Sequence, residues 1–147
     1  MSIRAQRWVI LVLAVTAAVV GVWAAAFPMS FYTDFPSPGR HWVSALGPYN
    51  EHLVRDVGGL YLALLVLSVW VWRRPTTDRL RMAGGAWLIF NSVHFLWHML
   101  HLGVFPTIDR IGNAVSLGGV LILSILLLLP ERRVRSRPPG ARLSSTG

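Results

Sequence analysis

Three histidines follow one another at a spacing that could build a chemical site: His94, His98 and His101. At about 100° per residue, a helix would carry all three imidazoles within roughly 60° of arc on one face. The surrounding segment, residues 83–102, is otherwise largely apolar. Ionisable side chains in an apolar span are costly and usually face a protein interior or a water-filled cavity. The spacing therefore predicts a functional site.

A metal centre is the first chemistry that these residues predict. The pattern His-x-x-x-His on one helical turn lets two imidazoles reach the same ion, and further side chains on a neighbouring helix could complete a mixed nitrogen and oxygen shell. Zinc, copper, iron and manganese all accept such a shell. The candidate ligands are His94, His98, His101, His52 and Asp56, with Glu51 as a further carboxylate.

Other chemistries use the same groups. Haem needs axial histidines that face each other, for example one from residues 94–101 and His41 or His52 opposite. Metal-free acid–base catalysis on a lipid-soluble substrate would use a histidine and a carboxylate as proton carriers. A purely structural role is also open, in which the histidines bond loop carbonyls and Arg55–Asp56 and Asp109–Arg110 form interface pairs. The candidate catalytic residues are Asp56, Glu51, Arg55 and Arg110.

The composition places this site in a membrane protein. Of 147 residues, 54% are hydrophobic and 14% are charged, whereas about 25% charged is usual in a soluble domain. The chain has no cysteine, which excludes disulfides, thiolate metal sites and iron–sulfur clusters.

Apolar runs divide the chain into four predicted spans, at about residues 8–27, 52–72, 83–102 and 110–129. A span needs about 20 residues, and the second reaches that length only if its helix begins near His52. We predict an all-α, integral membrane four-helix bundle over residues 1–130, with an outer loop at 28–51 and a basic, disordered tail at 131–147. The first run exceeds the roughly 7–15 residues of a signal-peptide core, so we read it as a retained helix.

Arginine placement predicts the orientation. Eleven arginines precede the first span, separate the second from the third, or follow the fourth, whereas Arg40, Arg55 and Arg110 lie on the other side. The positive-inside rule then predicts cytoplasmic termini in a multi-pass protein of the cell membrane, with the histidine site on the extracytoplasmic side. Nucleic acid is not an expected partner despite the net charge of +8, because the basic tail lacks interleaved aromatic residues.

Smaller signals concern helix ends and packing. Asn50 is a predicted N-cap of the second span, followed by Glu51 in the first turn. The glycine pairs 58–59 and 84–85 predict close approach between helix backbones.

The second span also carries a family resemblance. Arg55 is followed by Gly58-Gly59-Leu60-Tyr61-Leu62, and Arg110 and Ser116 open the fourth span. These residues resemble the DoxX-like group of small four-helix membrane proteins over about residues 50–129. The resemblance implies a four-helix bundle with polar groups near one face and service as a subunit of a quinone-linked or redox complex. By this resemblance, Arg55 and Arg110 would be functional positions of the chain.

The residues thus predict an outward-facing His/carboxylate site that binds a metal ion or acts on a membrane-soluble substrate. One alternative is a non-catalytic partner subunit of another membrane protein or a homo-oligomer. A second alternative is a haem-binding membrane protein.

Overall fold

A computed structural model describes residues 1–131 of the chain, all of whose regular elements are helical. The five α-helices are α1 (Ile3–Ala26), α2 (Pro28–Asp34), α3 (Glu51–Arg73), α4 (Thr77–Leu100) and α5 (Thr107–Leu128). Short 3-10 turns cover Ser44–Leu46 and Leu102–Val104. The disordered tail predicted at 131–147 lies, apart from residue 131, outside the described residues.

Local chemistry explains where the helices begin. The Asn50 side chain accepts a hydrogen bond from the Leu53 backbone N–H at 3.3 Å, so its predicted capping role is confirmed. Pro28 occupies the first turn of α2, directly after α1 ends, a position where its missing N–H costs nothing. The predicted loop at 28–51 therefore starts with a helix of seven residues, which the apolar pattern did not reveal.

Among the described residues, three helices are long and apolar enough to cross a membrane: α1, α3 and α5. These helices indicate a membrane protein. The second predicted span, which seemed short, qualifies because α3 begins at Glu51 and has 23 residues. The third is less apolar than expected, since the part of α4 that lies within it carries Asn91, His94 and His98.

The four long helices associate as two pairs. α3 packs against α1 and α5 against α4, while contacts between the pairs are sparser. Glycine allows the close approach in both pairs: a Cβ at Gly58 would lie 2.4 Å from the Ala25 backbone nitrogen, and a Cβ at Gly84 would lie 2.8 Å from Leu127 Cβ. Gly59 and Gly85 have no such neighbours among residues 1–131, so the predicted role holds for one glycine of each doublet.

Buried polar side chains connect helices across and within the pairs. The Trp87 indole donates to Ser68 Oγ at 2.9 Å, joining α4 to α3. The Asn91 amide donates to Ser124 Oγ at 2.8 Å, joining α4 to α5. Gln6, which the sequence pattern did not single out, is 1% exposed and donates to the carbonyl oxygens at the end of α5. Buried polar groups need such partners, so these bonds fix the register of the helices.

The glycine contact at α1 and α3 leads to a stability prediction. We expect Gly58→Ala to lower the free energy of unfolding by about 1–3 kcal/mol, because the new methyl group would overlap the Ala25 backbone. Gly59→Ala is the matched control and should be neutral or stabilise by up to about 1 kcal/mol through helix propensity. Thermal unfolding in detergent, followed by circular dichroism, measures both. Equal melting temperatures for the two variants would contradict the packing described.

Candidate functional site

A cavity of about 680 Å³ lies between the two helix pairs. Its walls are mostly apolar, with Val20 of α1, Val54 of α3, Trp87 of α4 and Val120 of α5 among the lining residues. Its outer part is covered by the segment between α2 and α3, which contributes aromatic and apolar side chains. Those covering residues include Phe35, Pro36, Trp42, Val43 and Leu46. The cavity is of the size that holds a small organic molecule, since such sites usually measure about 300–1,000 Å³.

Two of the three predicted histidines line this cavity. His94 and His98 lie one turn apart on α4 with ring centroids 4.6 Å apart, and His94 also stacks on Phe90. Asn113 of α5 lies against the His98 ring. His98 Nδ1 is buried without a hydrogen-bond partner in the described part of the chain. The cavity wall thus carries a pair of imidazoles, and the buried Nδ1 of His98 does not face the open space.

His101 does not join this pair. α4 ends at Leu100, and His101 occupies the C-cap, where the backbone leaves the helical path. Its ring stacks on Trp97 with centroids 4.0 Å apart, and its Nδ1 lies 2.7 Å from the Trp97 carbonyl oxygen. The helical spacing of 98 and 101 therefore does not carry the third ring into the cavity.

The candidates on α3 lie on its surface and not among the cavity-lining residues. His52 Nδ1 is 3.5 Å from Asp56 Oδ2, with side chains 81% and 61% exposed. Arg55 pairs with Glu51 at 2.8 Å and donates to the Ala25 carbonyl at the end of α1. Within residues 1–131, no three His, Asp or Glu side chains gather closely enough to hold one ion. Metal ligation by these residues stays a prediction.

The residues at the start of α5 hold the outer segments in place. Arg110 donates to the carbonyl oxygens of Phe105 and Gly103 at 2.7 and 3.3 Å, and so fixes the connection from α4. The Asn113 amide donates to the Asp109 carbonyl, and the Ser116 hydroxyl donates to the Gly112 carbonyl. Asn113 and Ser116 line the cavity, whereas Arg110 does not.

Asp109 holds in place the segment that covers the cavity, residues 35–46, which we call the roof. Its Oδ1 atom accepts from Arg40 Nη1 at 2.7 Å and from the Trp42 indole at 3.0 Å. The Trp42 ring lies over Gly112, where a Cβ would come within 2.8 Å of it. We call these residues, Arg40, Trp42, Asp109 and Gly112, the latch. The sequence placed Arg40 on the extracytoplasmic side and Asp109 in a pair with Arg110, and nothing in the pattern linked residues 40 and 109.

The fold and the site together define an all-α protein with membrane-like helices around a largely apolar cavity. The chain belongs to the family described as Domain of unknown function (DUF4345), which matches residues 5–91, more than half of its length. His94, His98 and the latch residue Asp109 lie beyond the matched segment. No curated protein and no solved structure matches the chain. The DoxX-like resemblance is not part of this match.

The latch can be tested through the mobility of the roof. We expect Asp109→Ala to speed amide hydrogen exchange in residues 35–46 by about tenfold or more, because hydrogen bonds to a charged group contribute roughly 1.5–3 kcal/mol. Trp42→Phe, which keeps a ring over Gly112 and loses the indole N–H, should have a smaller effect.

Asp56→Ala is the control for the latch, since it removes an exposed carboxylate that is paired with His52 on the surface of α3. Exchange measured by mass spectrometry should be unchanged in residues 35–46 of this variant. Equal protection of the roof in Asp109→Ala and in the unmodified protein would show that the latch does not hold it.

Proposed function

We propose that this protein binds a membrane-soluble molecule in the cavity between its two helix pairs. The cavity itself is the observation that carries the proposal. It is large enough for a small organic molecule, its walls are mostly apolar, and a few polar groups, including two imidazoles, line it. This combination is the usual character of a small-molecule site. His94 and His98 would bond the polar part of the bound molecule.

The proposal includes a four-span arrangement in which α4 crosses the bilayer with the other long helices. Its side chains support this, since between residues 89 and 100 the exposed ones are apolar apart from Ser92: Ile89, Val93, Leu96, Trp97 and Leu100. Its polar Asn91, by contrast, is buried against α5. The lower mean hydropathy of α4 then follows from the residues it directs inward. The DoxX-like relationship belongs to this proposal. It is supported by the four long helices of the chain, because the resemblance implies a four-helix bundle.

We further propose cytoplasmic termini, residence in the cell membrane and a cavity that opens toward the extracytoplasmic side. The arginine distribution supports this orientation. At the arginine-rich end, Arg7 lies 5.1 Å from the Trp72 ring centroid and Arg79 lies 4.6 Å from that of Trp70. Tryptophan and arginine together at a helix end are typical of a membrane–water interface.

Imidazoles also set the chemistry available in the cavity. Histidine is the side chain whose ordinary pKa lies near neutral pH, and among the described lining residues the histidines are His94 and His98. Any proton transfer to or from a bound molecule is therefore assigned to this pair. The earlier catalytic candidates, Asp56, Glu51 and Arg55, are engaged on the surface of α3.

A quenching experiment tests ligand binding. The full chain in lipid nanodiscs is titrated with a long-chain alcohol brominated along its chain, because bromine quenches tryptophan fluorescence on contact and Trp42, Trp87 and Trp97 line the cavity. We expect saturable quenching. Val54→Phe should weaken binding of the alcohol by about tenfold, since an added ring at a wall residue costs about 1–3 kcal/mol.

The matched control is Val115→Phe, the same substitution on the exposed face of α5, where the side chain is 68% exposed and does not line the cavity. It should bind the alcohol like the unmodified protein. Quenching that rises linearly without saturation, or that is identical in both variants, would rule out the cavity as a binding site.

A metal centre is the second candidate function, and the imidazole pair is the observation that favours it. His94 and His98 are one turn apart with ring centroids 4.6 Å apart, which suits two nitrogen ligands for one ion. The remaining ligands would come from the bound molecule or from water, because the α3 candidates lie on the surface.

Elemental analysis distinguishes this function. If the pair binds metal, protein purified without chelators should contain a stoichiometric metal that His94→Ala and His98→Ala lose and His52→Ala keeps. A Soret band in the absorption spectrum would indicate haem instead. Absence of metal in the unmodified protein would exclude this candidate, and failure of ligand binding as well would favour a partner subunit or homo-oligomer.

A further inference from the structure

The charge of the cavity wall restricts what it can hold. Among the described lining residues there is no Asp, Glu, Lys or Arg. The charged groups of the latch and of the start of α5 are already paired: Arg40 with Asp109 at 2.7 Å, and Arg110 with two backbone carbonyls. A charged group brought into the cavity would lose its water without gaining an opposite charge, which is strongly unfavourable.

The polar groups are also unevenly placed. His94, His98, Asn113 and Ser116 lie on α4 and α5 near the roof. Deeper along these helices the wall is formed by Trp87, Asn91 and Val120, and Thr16 and Tyr61 line it from α1 and α3. The Asn91 amide donates to Val120 and Ser124, and the Thr16 hydroxyl donates to the Val12 carbonyl, so these polar groups are engaged within the protein. Both imidazoles thus lie at the outer end, and the inner end is mostly apolar.

His98 turns one ring nitrogen away from the cavity, since Nδ1 is buried and has no hydrogen-bond partner within residues 1–131. A ligand head group in the cavity would therefore contact the accessible edges of the two imidazoles, His94 and His98, which line its outer end.

We infer that the ligand is an uncharged amphipathic molecule, with a hydrogen-bonding head at His94 and His98 and an apolar body directed toward Trp87 and Val120. This inference rests on the proposed function and specifies the class of molecule bound. It gives the candidate residues Arg55 and Arg110 no part in ligand binding, because neither lines the cavity and both are engaged with other groups.

Four probes with the same brominated chain test the inference by tryptophan quenching in nanodiscs: an alcohol, a sulfate, a trimethylammonium salt and a hydrocarbon without a head group. The alcohol should bind at least about tenfold tighter than either ion, given the cost of burying an unpaired charge. Equal or tighter saturable binding of the sulfate or the ammonium probe would overturn the inference and leave the proposed function intact. Failure of all four probes would overturn the proposed function.

Substitutions locate the head group. His98→Leu and His94→Leu should each weaken binding of the alcohol by about threefold to tenfold, in line with the loss of one neutral hydrogen bond. Binding of the hydrocarbon should be unchanged in both variants. His101→Leu is the matched control, because this residue stacks on Trp97 outside the cavity. An equal loss for the alcohol and the hydrocarbon would show a general disturbance of the site and would contradict head-group recognition by the pair.

Discussion

Backbone approach at two glycines governs how the long helices pair, and the cavity depends on that pairing. Gly58 lets α3 lie directly against Ala25 of α1, and Gly84 lets α4 lie against Leu127 of α5. Van der Waals contact of this kind is the main attraction between helices in a bilayer, where lipid chains are as apolar as the side chains. Close contact within each pair is accompanied by sparser contact between the pairs. The space between them is where the histidine pair and the apolar lining residues meet.

The space stays defined because polar bonds bridge it at two levels. Toward one end, the Trp87–Ser68 bond and the Gln6 amide join helices of different pairs. Toward the other, Asp109 binds Arg40 and Trp42 and draws the segment after α2 over the opening. A buried carboxylate is costly unless it is paired and hydrogen-bonded, and here its partners form the roof. The same residues that satisfy Asp109 therefore close the outer end of the cavity.

Local and periodic signals in the sequence led to correct predictions. The helical spacing of residues 94 and 98 brought both rings to one wall, and Asn50 caps α3 as its residue type suggested. Features that depend on tertiary contact were not predictable. Gly58 and Gly59 look alike in the sequence, and only the register of α3 on α1 decides which one touches Ala25. The latch joins residues 40 and 109, and His101 leaves the stripe because α4 ends one residue earlier.

The central claim is that the cavity receives an uncharged, membrane-soluble molecule beside His94 and His98. An experimental structure of the full chain in lipid nanodiscs, with and without the brominated alcohol, tests it most directly, because bromine gives a strong local signal. The account predicts density for the alcohol between the helix pairs, with its hydroxyl near the two imidazoles and bromine near Trp87 and Val120. Bromine found only on the outer faces of the helices, with the space between the pairs filled by side chains, would contradict it.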